Sequence, residues 1–142
     1  MPYNKEKQLL FIHIPKCGGT SIEKSLGSFS EIGVGIKNGK AIQHYTLKDY
    51  QNNLLFTNNF IKFSIVRNPY NRAISDFKWF KNYSKLNFKT LDEYLDYAEN
   101  YIKNNYKPNT IWDDHFMPQY EYLLTSKNKI ITENIFRFED RK

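Results

Sequence analysis

The sequence is short of the features that mark several protein classes. Cys17 is its one cysteine, which excludes a disulfide-stapled scaffold. No apolar run approaches the ~20 residues that a membrane-crossing helix needs. The first eight residues, Met1 to Gln8, are polar and do not read as a signal or transit peptide. The basic residues form no arm; Lys and Asn are spread along the whole chain. These absences lead us to expect a soluble, cytoplasmic protein with no membrane partner. What the chain has in quantity is aromatic side chain. Eleven Phe and eleven Tyr exclude intrinsic disorder, although the hydrophobic share is only 40%. Its 142 residues suffice for one core, and a single domain over residues 1–142 is expected. A net charge of +6 fits nucleic acid, an anionic cofactor, an acidic glycan or simply a solvated basic surface.

Hydrophobic patterning places strands and helices in alternation. Gln8 to Ile14 is nearly continuous apolar sequence, the pattern of a strand buried on both faces. Pro15 ends it, Gly18 and Gly19 follow, and a helix starts near Thr20, with Ile22, Leu26 and Phe29 on one face. Glu31 to Lys40 reads as a loop, and Thr46 to Phe56 as the place for a short helix. Phe60 to Val66 is the second strong strand. Asn68 suits an N-cap and Pro69 the first helical position, so a helix is predicted over Pro69 to Tyr83. Its apolar face is expected to be Tyr70, Ala73, Ile74, Phe77 and Phe80. Thr90 to Glu93 matches a capping box and opens a helix ending near Asn104, with Leu91, Leu95, Ala98 and Ile102 inward. Tyr106 to Pro118 reads as loop and Gln119 to Leu124 as a short helix. Ile130-Ile131 and Ile135 to Phe138 read as two short strands. The alternation predicts an α/β fold with a central, mostly parallel sheet flanked by helices.

Two segments carry anion chemistry. Pro15-Lys16-Cys17-Gly18-Gly19-Thr20-Ser21 lies between a buried strand and a helix. Glycines let backbone N–H groups approach a phosphate closely, Lys16 adds a charge, and Thr20 and Ser21 add hydroxyl donors. The bland alternative is an ordinary strand–helix turn. The segment is not a Walker A loop, which needs its Lys after the last Gly. A near miss at Gly35 to Ala41 is one residue short, lacks the magnesium-holding Ser or Thr and reads as a loop. The second segment, Arg67 to Ser75, puts an Arg at a strand end and a Ser two turns into a helix. Arg67 is suited to a bidentate phosphate grip. Arg72 is equally readable as a functional residue or a solvated one.

Phe11 to Ser21 resembles the 5′-phosphosulfate loop of sulfotransferases that use 3′-phosphoadenylyl sulfate (PAPS). Phe63 to Phe77 resembles their 3′-phosphate segment. The order and the strand–loop–helix context match as well. The likeness is nearest to the carbohydrate branch, with its heparan and chondroitin sulfotransferases and bacterial relatives. His115 to Gln119 and Ile135 to Asp140 resemble later landmarks of that branch. The resemblance implies a P-loop-like three-layer fold and in-line transfer of a sulfonate group from PAPS to an acceptor hydroxyl, expected on a carbohydrate. It implies that Lys16 contacts the phosphosulfate and stabilises charge on the leaving oxygen. Gly18, Gly19, Thr20 and Ser21 would hold the 5′-phosphate, and Cys17, a tolerated small residue rather than a nucleophile, would belong to the same cofactor-binding set. Arg67 and Ser75 would hold the 3′-phosphate.

The family often places a base between the two phosphate segments, and Gln43-His44-Tyr45-Thr46 resembles that region. His44 is therefore the expected base. His115 is the runner-up, with substrate contact as its alternative role. His13 reads as a hydrogen-bonded core residue and Glu23 as part of a solvated helix face. His13, His44 and His115 lack metal-ligand spacing, so no metal is expected. Family members usually continue beyond the Arg-Phe-Glu segment, so the domain is expected to be short at its C-terminus. The rival readings are a kinase-like phosphotransferase and a nucleotide- or glycan-binding module without turnover. Nucleic acid is not expected, because the aromatics follow core periodicities rather than interleaving with basic residues.

Overall fold

The computed structural model describes residues 3–27, 36–37, 40–53, 59–84, 86–130 and 134–140. Four strands form the main sheet: β1 (Tyr3–Asn4), β2 (Leu9–Ile12), β5 (Ile61–Val66) and β6 (Ile135–Arg137), in that spatial order. β2 pairs with β5 in parallel, Phe11 opposite Phe63, and β5 pairs with β6 in parallel. β1 adds an antiparallel edge. The expected mostly parallel sheet in a mixed α/β fold is what forms. β2 is central, and Leu10, Phe11 and Ile12 are buried, as its unbroken apolar run required. A separate antiparallel ribbon, β3 (Ile36–Lys37) with β4 (Lys40–Ala41), stands where a loop was expected.

Helices α1 (Gly19–Ser25), α2 (Leu47–Asn53), α3 (Pro69–Tyr83) and α4 (Leu91–Lys103) complete the fold. Phe29, expected on the first helix, lies outside the described residues, as does Ile131. Ile130 forms only an isolated bridge with Leu124. Among the described residues no helix is long and apolar enough to cross a membrane.

Local chemistry explains the helix starts. Asn68 Oδ1 accepts from the N–H groups of Tyr70 and Asn71, and Pro69 takes the first position, where a missing N–H costs nothing. Thr90 Oγ1 accepts from the Glu93 N–H, while Glu93 reaches past the cap to the Lys89 N–H. The expected capping box is thus displaced by one residue on its return arm.

Two helix faces differ from the hydrophobic reading. In α3, Tyr70 and Ile74 are exposed, and the side turned inward carries Asp76 and Phe80, both fully buried. In α4, Leu95 and Ile102 are largely exposed, while Tyr94 and Tyr101 are buried. The reason is common to both. Tyr94 donates to Asp76 Oδ2 at 3.0 Å, and Tyr97 to Asp113 Oδ1 at 3.2 Å, so the inward faces pair phenols with carboxylates. The rings of Phe80, Phe88, Tyr94, Tyr97 and Phe116 then fill the space between the helices. Aromatic area plus a satisfied polar end outweighs the aliphatic stripes.

Candidate functional site

The C-terminal ends of the parallel strands β2 and β5 open onto one cavity of about 400 Å³. In open α/β sheets this is the edge where ligands bind. Pro15, Lys16, Gly18, Gly19, Thr20 and Ser21 line it from the β2–α1 loop, and Arg67 and Ser75 from the β5–α3 segment. His44 and His115 line it too. The structure thus gathers nearly every residue singled out in the sequence around a single space.

The β2–α1 loop reverses sharply, with Lys16 at φ +64° and Gly18 at φ +82°. Gly18 accepts that conformation without cost, whereas Lys16 is held in it. Lys16 is half-buried, and that burial, with Arg67 nearby, lowers its pKa, while Asp76 opposes the shift. Cys17, expected among the cofactor-binding residues, does not line the cavity. Its N–H is bonded to the Ile14 carbonyl, and its fully buried Sγ turns to Gln119 Oε1 at 3.4 Å. Burial raises the thiol pKa to about 11, so the group is a small core residue and no nucleophile.

Arg67 is anchored at three points. The Gln119 side-chain amide grips its backbone from both sides, accepting from the Arg67 N–H at 2.9 Å and donating to its carbonyl at 2.8 Å. Nη1 donates to the Lys16 carbonyl at 3.1 Å, tying the two anion segments together. The guanidinium lies 4.3 Å from the Phe138 ring centroid. Its Nε is buried and has no partner among the described residues. Glu139, next to Phe138, accepts from the Asn68 N–H at 2.8 Å. The Arg137-Phe138-Glu139 segment therefore supports the start of α3.

Arg72 is neither solvated nor a cavity ligand. Its guanidinium donates to three backbone carbonyls: Pro15 at 3.0 Å, Met117 at 3.3 Å and His115 at 2.7 Å. It clamps the phosphate-type loop to the segment that carries His115.

The three histidines follow one design. Each gives Nδ1 to a buried carboxylate from another element: His13 to Glu23 at 2.5 Å, His44 to Asp114 at 2.8 Å and His115 to Asp76 at 2.7 Å. Glu23 is therefore buried rather than part of a solvated helix face. The rings contact edge to face, His13–His44 at 5.0 Å and His44–His115 at 5.1 Å. A proton held at Nδ1 by a carboxylate leaves the Nε2 lone pair available. At His44 that nitrogen faces the Gln43 amide nitrogen at 3.2 Å. Burial pulls the pKa of His13 and of His44 below the usual value, more than their carboxylates restore it.

One group of donors escaped the spacing argument. Atoms of His44, Asp114 and His115 lie within 4.8 Å of one another, close enough in principle to share a cation. Asp114 Oδ1 is buried without a partner among the described residues. A second cavity of about 410 Å³ is also lined by His44, together with Asp114.

Sequence reasoning also missed Trp79 and Trp112, which line the main cavity beside His115. Trp79 stacks on His115 at 4.8 Å and meets Trp112 edge-on at 5.3 Å. Available signals were the acid at Asp76, one turn after Arg72, and the Asp113-Asp114 pair directly before His115.

No curated protein and no solved structure gives a match to the chain. A family model described as the sulfotransferase family matches residues 2–142. The match covers nearly the whole chain, which belongs to the sulfotransferase family.

Proposed function

We propose that this sulfotransferase moves a sulfonate group from PAPS to a hydroxyl of a carbohydrate. The observation that carries the reading is convergence: the Lys16–Ser21 loop, Arg67, Ser75 and His44 face one cavity. The donor set suits a bis-anionic nucleotide. Arg67 Nε is a buried N–H with no acceptor, and an anionic oxygen is the partner it lacks. The β2–loop–α1 unit supports a P-loop-like reading of the fold.

PAPS supplies the activated sulfonate and departs as adenosine 3′,5′-bisphosphate. Lys16 and the hydroxyls of Thr20 and Ser21 hold the phosphosulfate end, and Lys16 stabilises negative charge gathering on the leaving oxygen. Arg67 and Ser75 hold the 3′-phosphate. In this reading the cationic work is done by side chains. Asp114 fixes the Nδ1–H tautomer of His44, and the Nε2 lone pair, met by the Gln43 amide in this structure, takes the acceptor hydroxyl's proton once that hydroxyl displaces the amide. Burial keeps that imidazole neutral near pH 7. His115, held in the same way by Asp76, is the alternative base.

The test is transfer of labelled sulfonate from PAPS to a panel of hydroxyl acceptors, with calorimetry for adenosine 3′,5′-bisphosphate and ATP. Turnover is expected, with the bisphosphate bound more tightly than ATP. Lys16→Ala and His44→Ala should each cost about 10²–10⁴ in turnover. Arg67→Ala should weaken the bisphosphate about tenfold or more. Bisphosphate binding without turnover would leave only a binding module. Transfer of phosphate from ATP would establish the kinase-like alternative.

A further inference from the structure

The cavity has two chemically different ends. Arg67, Thr20 and Ser21 mark the anion end. Trp79, Trp112, His44, His115 and Gln43 mark the other, with Lys16 between, its Nζ 5.6 Å from the Trp79 ring centroid. Resting on the sulfonate-transfer reading, we infer that the acceptor is an uncharged pyranose whose ring sits on the Trp79–Trp112 corner.

Two observations carry this. The first is charge. Among the described residues lining the cavity, Lys16 and Arg67 are the only Lys or Arg side chains. In the proposed function both are engaged by the donor's anionic groups. Behind the three histidines stand Glu23, Asp76 and Asp114, all buried. Among the described residues, a carboxylate or sulfate on the acceptor would meet no spare Lys or Arg and a layer of buried carboxylates. Anionic glycosaminoglycans are therefore poor fits, although the family resemblance brings them to mind first.

The second observation is the aromatic corner. Trp112 meets Trp79 at 67° and His115 at 88°, so neither contact stacks a ring parallel on it. Both tryptophans are only half-buried. Among the described residues neither indole N–H finds an acceptor. The face of a pyranose presents C–H groups, which suit the electron-rich face of an indole. Its hydroxyls suit the free indole N–H, the Gln43 amide and the histidine Nε2. A flat apolar wall with few convergent polar groups is what fixes the orientation of a small neutral ligand.

The chain has two tryptophans, so ¹⁵N labelling gives two indole N–H signals, one for each side of the corner. The labelled protein, with and without adenosine 3′,5′-bisphosphate, is titrated with methyl β-galactopyranoside and separately with a chondroitin tetrasaccharide. The galactoside should shift both signals, with a midpoint little affected by salt, and it should accept sulfonate. Trp112→Ala should weaken it about fivefold while leaving the bisphosphate affinity unchanged. Trp112→Phe should recover most of the loss. Absence of any shift up to about 100 mM galactoside, a midpoint weaker than the millimolar range of small ligands, overturns the proposal. So does tighter, strongly salt-dependent binding of the tetrasaccharide. Indole shifts without bisphosphate binding would leave the corner as a sugar site and overturn the sulfonate-transfer reading instead.

Discussion

Gly19 is the position where the structure makes its sharpest quantitative demand. A Cβ placed there would lie 2.2 Å from both Cδ2 and Nε2 of His13 and 2.6 Å from its Cε1. Ordinary contact begins near 3.4 Å, so the His13 ring would have to move by about 1 Å or more. It has nowhere cheap to go. Its Nδ1 is bonded to Glu23 at 2.5 Å and its ring packs against Phe11 and His44. Moving the ring costs a buried hydrogen bond to a carboxylate and overpacks the core, together about 3–5 kcal/mol. At a urea m-value of about 2 kcal/mol/M, Gly19→Ala should lower the unfolding midpoint by about 1.5–2.5 M. Gly27→Ala is the control. Gly27 also lacks a Cβ and has φ +66°, but nothing lies within 4 Å of an added one. It should lose only the left-handed backbone cost of about 1–2 kcal/mol. Both are read by urea unfolding followed by circular dichroism. If Gly19→Ala loses no more than Gly27→Ala, the His13–Glu23 pair is not the rigid wall described above.

Arg72→Lys should destabilise by about 2–3 kcal/mol, because a single ammonium cannot reach three carbonyls that are left short of donors. A urea midpoint equal to that of the parent protein would refute the clamp. Acid should also weaken the fold. His13 and His44 have folded pKa values below 6.5, so below about pH 6.5 the unfolded chain binds more protons than the native one. Stability then falls with falling pH by up to about 1.4 kcal/mol per pH unit for each histidine. Unfolding midpoints at pH 7.0 and 5.5 test this, and equal midpoints would show that neither ring is held neutral.

The parts of the site that were legible in the sequence are those built from local signals. A buried strand followed by Pro-Lys-Cys-Gly-Gly locates one cavity-lining loop, and Val66-Arg67-Asn68-Pro69 locates the other. Strand and helix positions follow from runs, caps and breakers that act within a few residues. The supporting carboxylates were not legible, because an acid on a helix reads as solvated unless its partner is known. Glu23 meets His13 across a turn of ten residues, but Asp114 meets His44 across 70. The same holds for Gln119, whose grip on Arg67 spans 52 residues. The inward faces of α3 and α4 were missed for a related reason. Hydrophobic periodicity finds the greasiest stripe, whereas these helices bury the stripe that holds the site together.

Helix α3 has a geometric consequence for the proposed reaction. Arg72, Ser75, Asp76 and Trp79 sit within about two turns of one rod: Ser75 and Trp79 line the cavity, while Arg72 and Asp76 hold the loop and the His115 that line it. The span from Ser75 to Trp79 is about 6 Å along the axis at 1.5 Å per residue. A tilt or slide of α3 therefore carries the donor-side hydroxyl, the support of His115 and the tryptophan wall together. A one-residue insertion before Ser75 would instead rotate everything beyond it by about 100°. Spacing within this helix, more than its position in the molecule, sets the register between the two substrates.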